Sequence, residues 1–369
     1  SRPWERWAQL VVRRKWLAAL VGAGIIVAVA YPALNLNTAR PHTSALAATG
    51  SARDALVTLE QTGVPSAIVY PFQVIAHQGS AQTALARIRA TPGVWAAYSP
   101  STASFQRGQD ALITIVPTAE ANTSAGRAIY PRLRAHLAGL PAEVGGGPAQ
   151  DIDFNHAVYG SFPLMLALIA LITFVLLARA FRSPILALKA VLLNVFSLGA
   201  AYGLMVLVWQ QGHGSHLIWG VPATQSIREF VPILVFAFLF GLSMDYEVFV
   251  LARMREEYDI TQSTEHAIVN ALSRTGRLVT SAAIILCISF ASITLTPNVD
   301  IRVLAFGLAA GILLDATVIR SLLVPALVAL FGRWNWWMPA PLERVLRLAP
   351  ARGPDYPAPD RRVITAPDV

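Results

Sequence analysis

Six stretches of this chain, roughly residues 16–34, 159–179, 184–209, 229–251, 277–296 and 302–331, are nearly unbroken runs of apolar side chains. Each is close to the ~20 residues that a helix needs to cross ~30 Å of hydrocarbon. Inside lipid the backbone must satisfy its own hydrogen bonds, which restricts such segments to α-helices. The chain is therefore expected to cross a membrane six times. The first run follows Arg13, Arg14 and Lys15 as a signal peptide would. It is about twice the length of a signal-peptide core, however, and no clear Ala-x-Ala spacing lies near Tyr31 and Pro32, so it is read as a retained helix. Only 14% of the 369 residues are charged, against about 25% in soluble domains. The single cysteine, Cys287, leaves no disulfide or cysteine metal cluster within one copy. Ser1 is not a start methionine, and the sequence is read as a fragment or a processed form.

The net charge of +8 invites a nucleic-acid reading, but the basic residues flank the apolar runs on one side. Arg13, Arg14 and Lys15, Arg179 and Arg182, Arg253 and Arg255, Arg274 and Arg277, and Arg333 alternate with ends that carry mainly Arg228 and Arg302. That is the positive-inside pattern, with both termini in the cytoplasm. No basic stripe with interleaved aromatics suggests a nucleic-acid partner.

Counting spans from a cytoplasmic start divides the chain into four parts. Residues 1–34 are a cytoplasmic start and the first span, and 35–158 are an extracytoplasmic domain. Residues 159–339 are a five-helix membrane bundle, and 340–369 a Pro- and charge-rich cytoplasmic tail expected to be disordered. Within 35–158, helical patterns at 51–62, 80–90 and 123–138 alternate with strand-like runs at 66–76, 93–99, 110–117 and 142–145. The last six of these elements run β-α-β-β-α-β, so this domain is expected to be α+β and ferredoxin-like. Gly145, Gly146, Gly147 and Pro148 break the pattern before the second span. Ser183 and Pro184 are placed to cap and open the third. Residues 263–275 resemble a separate amphipathic helix, and Trp209 and Trp219 are expected at the membrane interface. Gly199 and Gly203, and Gly307 and Gly311, form small-xxx-small patterns that let helices approach closely.

Two acids, Asp245 and Glu247, interrupt the fourth span, and Asp315 interrupts the sixth. A carboxylate at membrane depth costs about 2.5–3.5 kcal/mol even on the mild insertion scale, and marks a functional site by default. Counted from the outer end at 1.5 Å per residue, Asp245 lies about 24 Å and Asp315 about 20 Å deep. Thr280 and Ser281 of the fifth span fall near the same layer. Asp245 and Glu247 point about 200° apart and form no dyad. Asp245, hydrogen-bonded by Tyr246, is read as the proton carrier, with Glu247, Ser281, Asp315 and Arg320 as supporting polar residues. The competing reading is a static buried acid paired with Arg320 or Arg253. For Asp315, Arg320 is a near neighbour on the same helix, which favours a structural pair.

Other chemistry is weakly signalled. His213 and His216 have ligand-like spacing but sit in a glycine-rich loop, and no metal or cofactor is expected. Asp151 and Asp153 read as a solvated helix start. There is no Walker A pattern and no Gly-x-Ser-x-Gly elbow, and His156 and Ser161 need not meet, so neither ATP use nor an enzyme is expected.

The run Phe240-Gly-Leu-Ser-Met-Asp-Tyr-Glu-Val-Phe-Val250, with Arg253 and Arg255-Glu-Glu257, closely resembles the second-half signature of MmpL transporters of the RND superfamily. Leu314-Asp-Ala-Thr-Val-Ile-Arg320, Leu323-Val-Pro-Ala326 and Asn335-Trp-Trp-Met-Pro339 resemble the end of that family's last helix. The resemblance runs from about Trp4 to Pro339. It implies an actinobacterial cell-membrane exporter, driven by the proton-motive force, for lipids or other amphiphilic molecules. It further implies that 35–158 is a porter domain, and that Asp245 and Tyr246 form the proton-relay pair that meets an equivalent pair from the other half. This chain has only one half, so a missing N-terminal half or a second copy is an expected partner beside lipids and protons. The alternative is a non-transporting membrane sensor or assembly scaffold on the same fold.

Overall fold

Leu10, Val11 and Val12 continue a helical repeat upstream of the first apolar run, and the computed structural model of the chain shows two helices there. It describes residues 2–46 and 49–339; the tail expected at 340–369 lies outside them. Helix α1 (Arg2–Arg13) buries Ala8, Val11 and Val12, and α2 (Lys15–Ala30) is the first span. Sequence reading missed α1 because it lacks the uniform hydropathy of a span. Its Trp4 ring lies against Gly276, where a Cβ would come within 2.6 Å of it.

Short helices α3 (Thr43–Leu46) and α4 (Ser51–Gln61) lead into a sheet. It comprises β1 (Phe72–Ala76), β2 (Val94–Tyr98), β3 (Gln106–Arg107), β4 (Asp110–Pro117) and β5 (Ala142–Gly145). Helix α5 (Ala81–Arg89) joins β1 to β2, and α6 (Ser124–Arg127) and α7 (Ile129–His136) join β4 to β5. The order is β2-β4-β1-β5, with β3 on β4, and every pairing is antiparallel. Val74 faces Ile113 on one side and Val144 on the other. Phe72, Val74, Ile113 and Ile115 point to one face, where Ile88 of α5 and Leu133 of α7 close the core.

Two expectations for this domain are corrected, and one strand is added. The strand expected from Ser66 begins only at Phe72, and Ser66–Val69 is a 3₁₀ turn. Pro71, just before the strand, has no N–H to give a ladder. The helix expected over 123–138 is broken at Ala128, because the ring of Pro131 is incompatible with the carbonyl four residues earlier, at Arg127. The hairpin strand β3 was not foreseen; two residues carry no alternation to read.

The glycine run then proves specific. Gly146 has φ +87°, and a Cβ on Gly147 would meet the Tyr70 ring at 2.2 Å. The chain therefore turns directly from β5 into α8 (Gly147–Phe181), which continues from the sheet into the membrane. Ser183 caps α9 (Pro184–Met205), its hydroxyl accepting from Leu186 N at 3.1 Å, and Pro184 opens the helix as expected. A short π-helical turn, Val206–Gln210, and helix α10 (Ser215–Trp219) form the connection to the next span. Helices α11 (Phe230–Thr261), α12 (Thr264–Ile293) and α13 (Val299–Leu314) follow. The last span ends through a π-helical stretch, Asp315–Leu323, and α14 (Val324–Phe331).

Among the described residues, six helical segments are long and apolar enough to cross a membrane. The separate helix expected at 263–275 does not exist; Ser263 caps a single helix that runs on to Ile293. Nothing in that stretch stops a helix, since Gly276 only weakens one. Trp209 is not an interfacial anchor either. It is fully buried, 4.9 Å from Trp219 and 6.1 Å from Phe306 between ring centroids.

The small-residue patterns are used as close helix contacts. A Cβ on Gly203 would lie 1.8 Å from the Val29 carbonyl oxygen, and one on Gly311 2.3 Å from Leu239. At Gly199 it would lie 3.7 Å from Ala30, an ordinary contact. Gly203→Ala is therefore expected to force α9 off α2 and cost about 1–3 kcal/mol, the range of overpacked cores. Gly199→Ala, four residues away on the same helix, is expected to leave the thermal midpoint in detergent unchanged. Equal midpoints for the two variants would show that the close contact at Gly203 is not what holds α9 to α2.

Candidate functional site

Helix α11 turns a continuous face to the bundle: Phe236, Leu239, Phe240, Ser243, Glu247, Val250 and Met254 are buried at spacings of three and four. Two polar residues, Ser243 and Glu247, lie on that face one turn apart. The last span meets them where it changes from α to π geometry at Asp315. In an α-helix residues five apart diverge by about 140° at 3.6 residues per turn. The i→i+5 bonds of a π-helix stack them instead. Asp315 and Arg320 are five apart, and the π stretch is what lets the Arg320 guanidinium turn back onto the Asp315 carboxylate as an ion pair. Both residues are 6% exposed.

Arg320 makes two further contacts. Its Nη2 donates to the Ser243 carbonyl oxygen at 3.4 Å, and its guanidinium carbon lies 5.2 Å from the centroid of the Tyr246 ring. Ser243, Tyr246, Asp315 and Arg320 line a crevice of about 10 Å³, room for roughly one water molecule. Glu247 is 3% exposed, and its Oε1 has no hydrogen-bond partner among the described residues. Thr280 of α12 lines an adjoining crevice with Arg320. Ser281, one residue on, is exposed and does not reach the cluster.

Asp245 stands apart. It is exposed, on the face of α11 that carries Gly241 and Phe249 rather than the one that carries Glu247. The expected Asp245–Tyr246 hydrogen bond is absent among the described residues. Neighbours on a helix point about 100° apart, and Tyr246 is drawn to Arg320 instead. Neither arginine proposed as a static partner meets Asp245. Arg253 pairs with Glu256 at 2.6 Å and Glu257 at 3.5 Å, and Arg320 is held by Asp315. Of the sequence-nominated residues, the fold thus gathers Tyr246, Glu247, Asp315 and Arg320, and leaves Asp245 and Ser281 facing outward. Ser243 was not nominated. Its spacing of four from Glu247 on the apolar buried face is the signal that could have found it.

A second polar site lies where the sheet domain meets the bundle. A cleft of about 460 Å³ is lined by Asn37, Arg127, Asp151, Asn155, His156 and Tyr159, among others. Thr38 Oγ1 donates to Asn155 Oδ1 at 2.8 Å and Arg127 Nη1 to Asn37 Oδ1 at 3.1 Å, which fixes the cleft's polar wall. Asp151, half-buried in the second turn of α8, borders it, while Asp153 is exposed as expected and accepts from Tyr130 Oη at 3.1 Å. Burial, then the negative Asp151 beside it, raises the Tyr70 phenol above its ordinary range and keeps it a neutral donor. Arg228 bridges Glu229 at 3.1 Å and Asp300 at 4.0 Å nearby. Among the described residues no group of three His, Cys, Asp or Glu side chains could hold a metal.

Residues 108–350 match the family described as "MMPL family". The chain is 34% identical over 362 residues to the mycolic acid-containing lipids exporter MmpL11 of Mycolicibacterium smegmatis, covering 94% of this chain and 38% of that protein. It is 33% identical over 358 residues to the heme uptake protein MmpL11 of Mycobacterium tuberculosis, covering 93% and 36%. Over 207 residues it is 39% identical to the trehalose monomycolate exporter MmpL3 of M. smegmatis, covering 56% and 20%. The chain spans less than two-fifths of the length of these relatives.

Proposed function

The chain belongs to the MMPL family of multi-pass cell-membrane proteins, and on that premise we propose that it is one half of a proton-driven exporter of lipidic or amphiphilic molecules. The observation that carries this reading is the position of Asp245. It lies about 24 Å along a membrane helix, on a face shared with exposed Leu234, Phe238 and Phe249. A carboxylate facing lipid there costs at least about 2.5–3.5 kcal/mol. A second six-helix half, or a second copy, covers that face and gives the acid a polar partner.

In this reading Asp245 takes a proton from the outside. Tyr246, adjacent to it in the chain and resting on Arg320, links the outward face to the buried cluster. Loading removes the charge at the interface between halves and lets them shift. Glu247, Asp315 and Arg320 hold the balance of charge behind α11. Ser281 is read as lining the same interface. The sheet domain is read as a ferredoxin-like, split βαβ porter unit on the extracytoplasmic side, with both chain termini in the cytoplasm. The cleft at its base suits the polar end of an amphiphile, whose apolar part stays in the outer leaflet. One proton crossing 100 mV supplies about 2.3 kcal/mol, enough to sustain roughly a 50-fold substrate gradient.

The test is transport by the complete two-half protein in proteoliposomes, with a fluorescent long-chain acyl glycolipid and an imposed pH gradient. Movement that stops when an uncoupler collapses the gradient is the expected result. A rate indifferent to the uncoupler would overturn the proton-driven reading, and no movement at all would favour a sensor or scaffold.

A further inference from the structure

At the end of the bundle remote from the sheet, α2, α9 and α14 leave an apolar groove of about 610 Å³, within the ~300–1,000 Å³ of small-molecule sites. Trp16, Ala19 and Leu20 form one wall at i, i+3, i+4 spacing. Leu327 and Phe331, with Trp334 beyond them, form the other. Trp16, Leu20 and Trp334 are all at least two-thirds exposed or close to it, so the groove is open along its length. The two tryptophans set it at headgroup level, where indoles settle at the membrane interface.

The charge around this groove is one-sided. Lys15 Nζ donates to the Ala329 carbonyl oxygen at 3.3 Å. Lys189 Nζ donates to Leu327 O at 3.2 Å and to Asn335 Oδ1, and lies 3.6 Å from the centroid of the Phe331 ring. Both ammonium groups thus sit at the carbonyl end of α14. A helix end supplies only about half an elementary negative charge. Arg14 and Arg333 are exposed at the same end of these helices. Helices α2, α9 and α14 contain no Asp or Glu, and among the described residues neither lysine pairs with a carboxylate. Arg14, Lys15 and Arg333 thus lie at this end of an open greasy slot, and among the described residues none of the three makes an ion pair.

We infer that the groove between α2, α9 and α14 binds an anionic phospholipid of the cytoplasmic leaflet, an acyl chain along Leu20 and Leu327 and its phosphate on Lys15 and Arg333. Basic pockets between membrane helices on the cytoplasmic side take acidic headgroups in this way. An ammonium has three donors, and Lys15 commits one of them to Ala329, leaving the others for phosphate oxygens. The inference uses the sidedness proposed above but not the proton mechanism.

The test uses the complete two-half protein purified in detergent and native mass spectrometry, titrated with dioleoyl phosphatidylglycerol or with phosphatidylcholine of the same acyl chains. Phosphatidylglycerol is expected to be retained about tenfold better, on the scale of one or two basic contacts. Lys15→Gln with Arg333→Gln should lower it to the phosphatidylcholine level. Leu20→Trp, which fills the slot, should lower both lipids. Equal retention of the two lipids, or a preference that survives the charge-removing pair, would overturn the inference. So would cross-linking of Leu20→Cys to another protein segment in native membranes, which would make the groove a protein interface. If Leu20→Trp does not give a monodisperse protein, the wild-type comparison and the charge-removing pair decide. Binding in detergent needs no gradient, so its failure and a failure of proton-driven transport are separate results.

Discussion

Replacing Asp245 by asparagine is expected to abolish gradient-driven export while leaving the fold unchanged. Asparagine has nearly the same shape, but it cannot take up and release a proton at any accessible pH. Within this chain Asp245 makes no ion pair among the described residues and lies on an exposed face, so the substitution removes no packing inside the bundle. Transport in proteoliposomes should therefore fall by about 100-fold or more, the scale on which removal of a positioned proton-transfer group is felt. The thermal midpoint of this chain by itself in detergent should stay within about 2 °C, since surface changes without lost contacts are usually within ±0.5 kcal/mol. Asp245→Glu, which keeps a titratable carboxyl on a longer arm, should retain part of the activity. If Asp245→Asn still exports its substrate under a pH gradient, Asp245 is not the proton carrier, and Glu247 and Asp315 become the acids to examine.

Arg320→Met should have the opposite profile: a large loss of stability. The guanidinium is the one cation in contact with Asp315, Ser243 O and Tyr246 among the described residues. Methionine fills similar volume but leaves a carboxylate buried without its counter-charge. Removing one partner of a buried pair typically costs about 3–5 kcal/mol, whereas replacing both by apolar residues can be neutral. Arg320→Met is therefore expected to lower the thermal midpoint sharply, and Asp315→Leu combined with Arg320→Met to recover most of it. A double-mutant cycle measures that coupling. Arg320→Lys should recover only part, because an ammonium lacks the planar fork that meets the carboxylate and rests on the Tyr246 ring together. A single Arg320→Met that unfolds at the wild-type temperature would show that the pair does not lock the last span to α11.

The six spans were legible in the sequence because hydropathy is summed over about twenty residues, and no single misjudged position alters the sum. Local chemistry was equally legible where it depends on adjacent residues. Ser183 and Pro184 make the cap their order implies, and Gly203 and Gly311 make the close contacts their spacing allows. What could not be read was orientation. Asp245 and Glu247 were known to diverge, but which of them faces the bundle depends on where α9 and the last span pack, and that is set by residues more than forty positions away. The buried set Leu239, Ser243, Glu247 and Val250 held the answer once read as one face. The π stretch was invisible for a different reason. A change from four- to five-residue hydrogen bonding has no composition signature, yet it is what brings Asp315 and Arg320 together. Pro71 and Pro131 were present to be read, and each cut an element the alternation or periodicity had run through. Trp209 shows the limit of rules by residue type: its ring found Trp219 and Phe306 rather than the membrane edge.

Helix α8 passes from the foot of β5 to Phe181 without a break, and it holds one internal proline, Pro163, sixteen residues from its start. A proline within a helix is where bending concentrates. The sixteen residues above it form a stiff arm of about 24 Å, clamped to the sheet at Gly147 by the Tyr70 ring. A bend of about 10° at Pro163 would carry the foot of the sheet sideways by about 4 Å, with no loop between to absorb it. A motion too small to disturb packing among the membrane helices would thus arrive at the cleft beneath the sheet as a displacement wider than a methyl group.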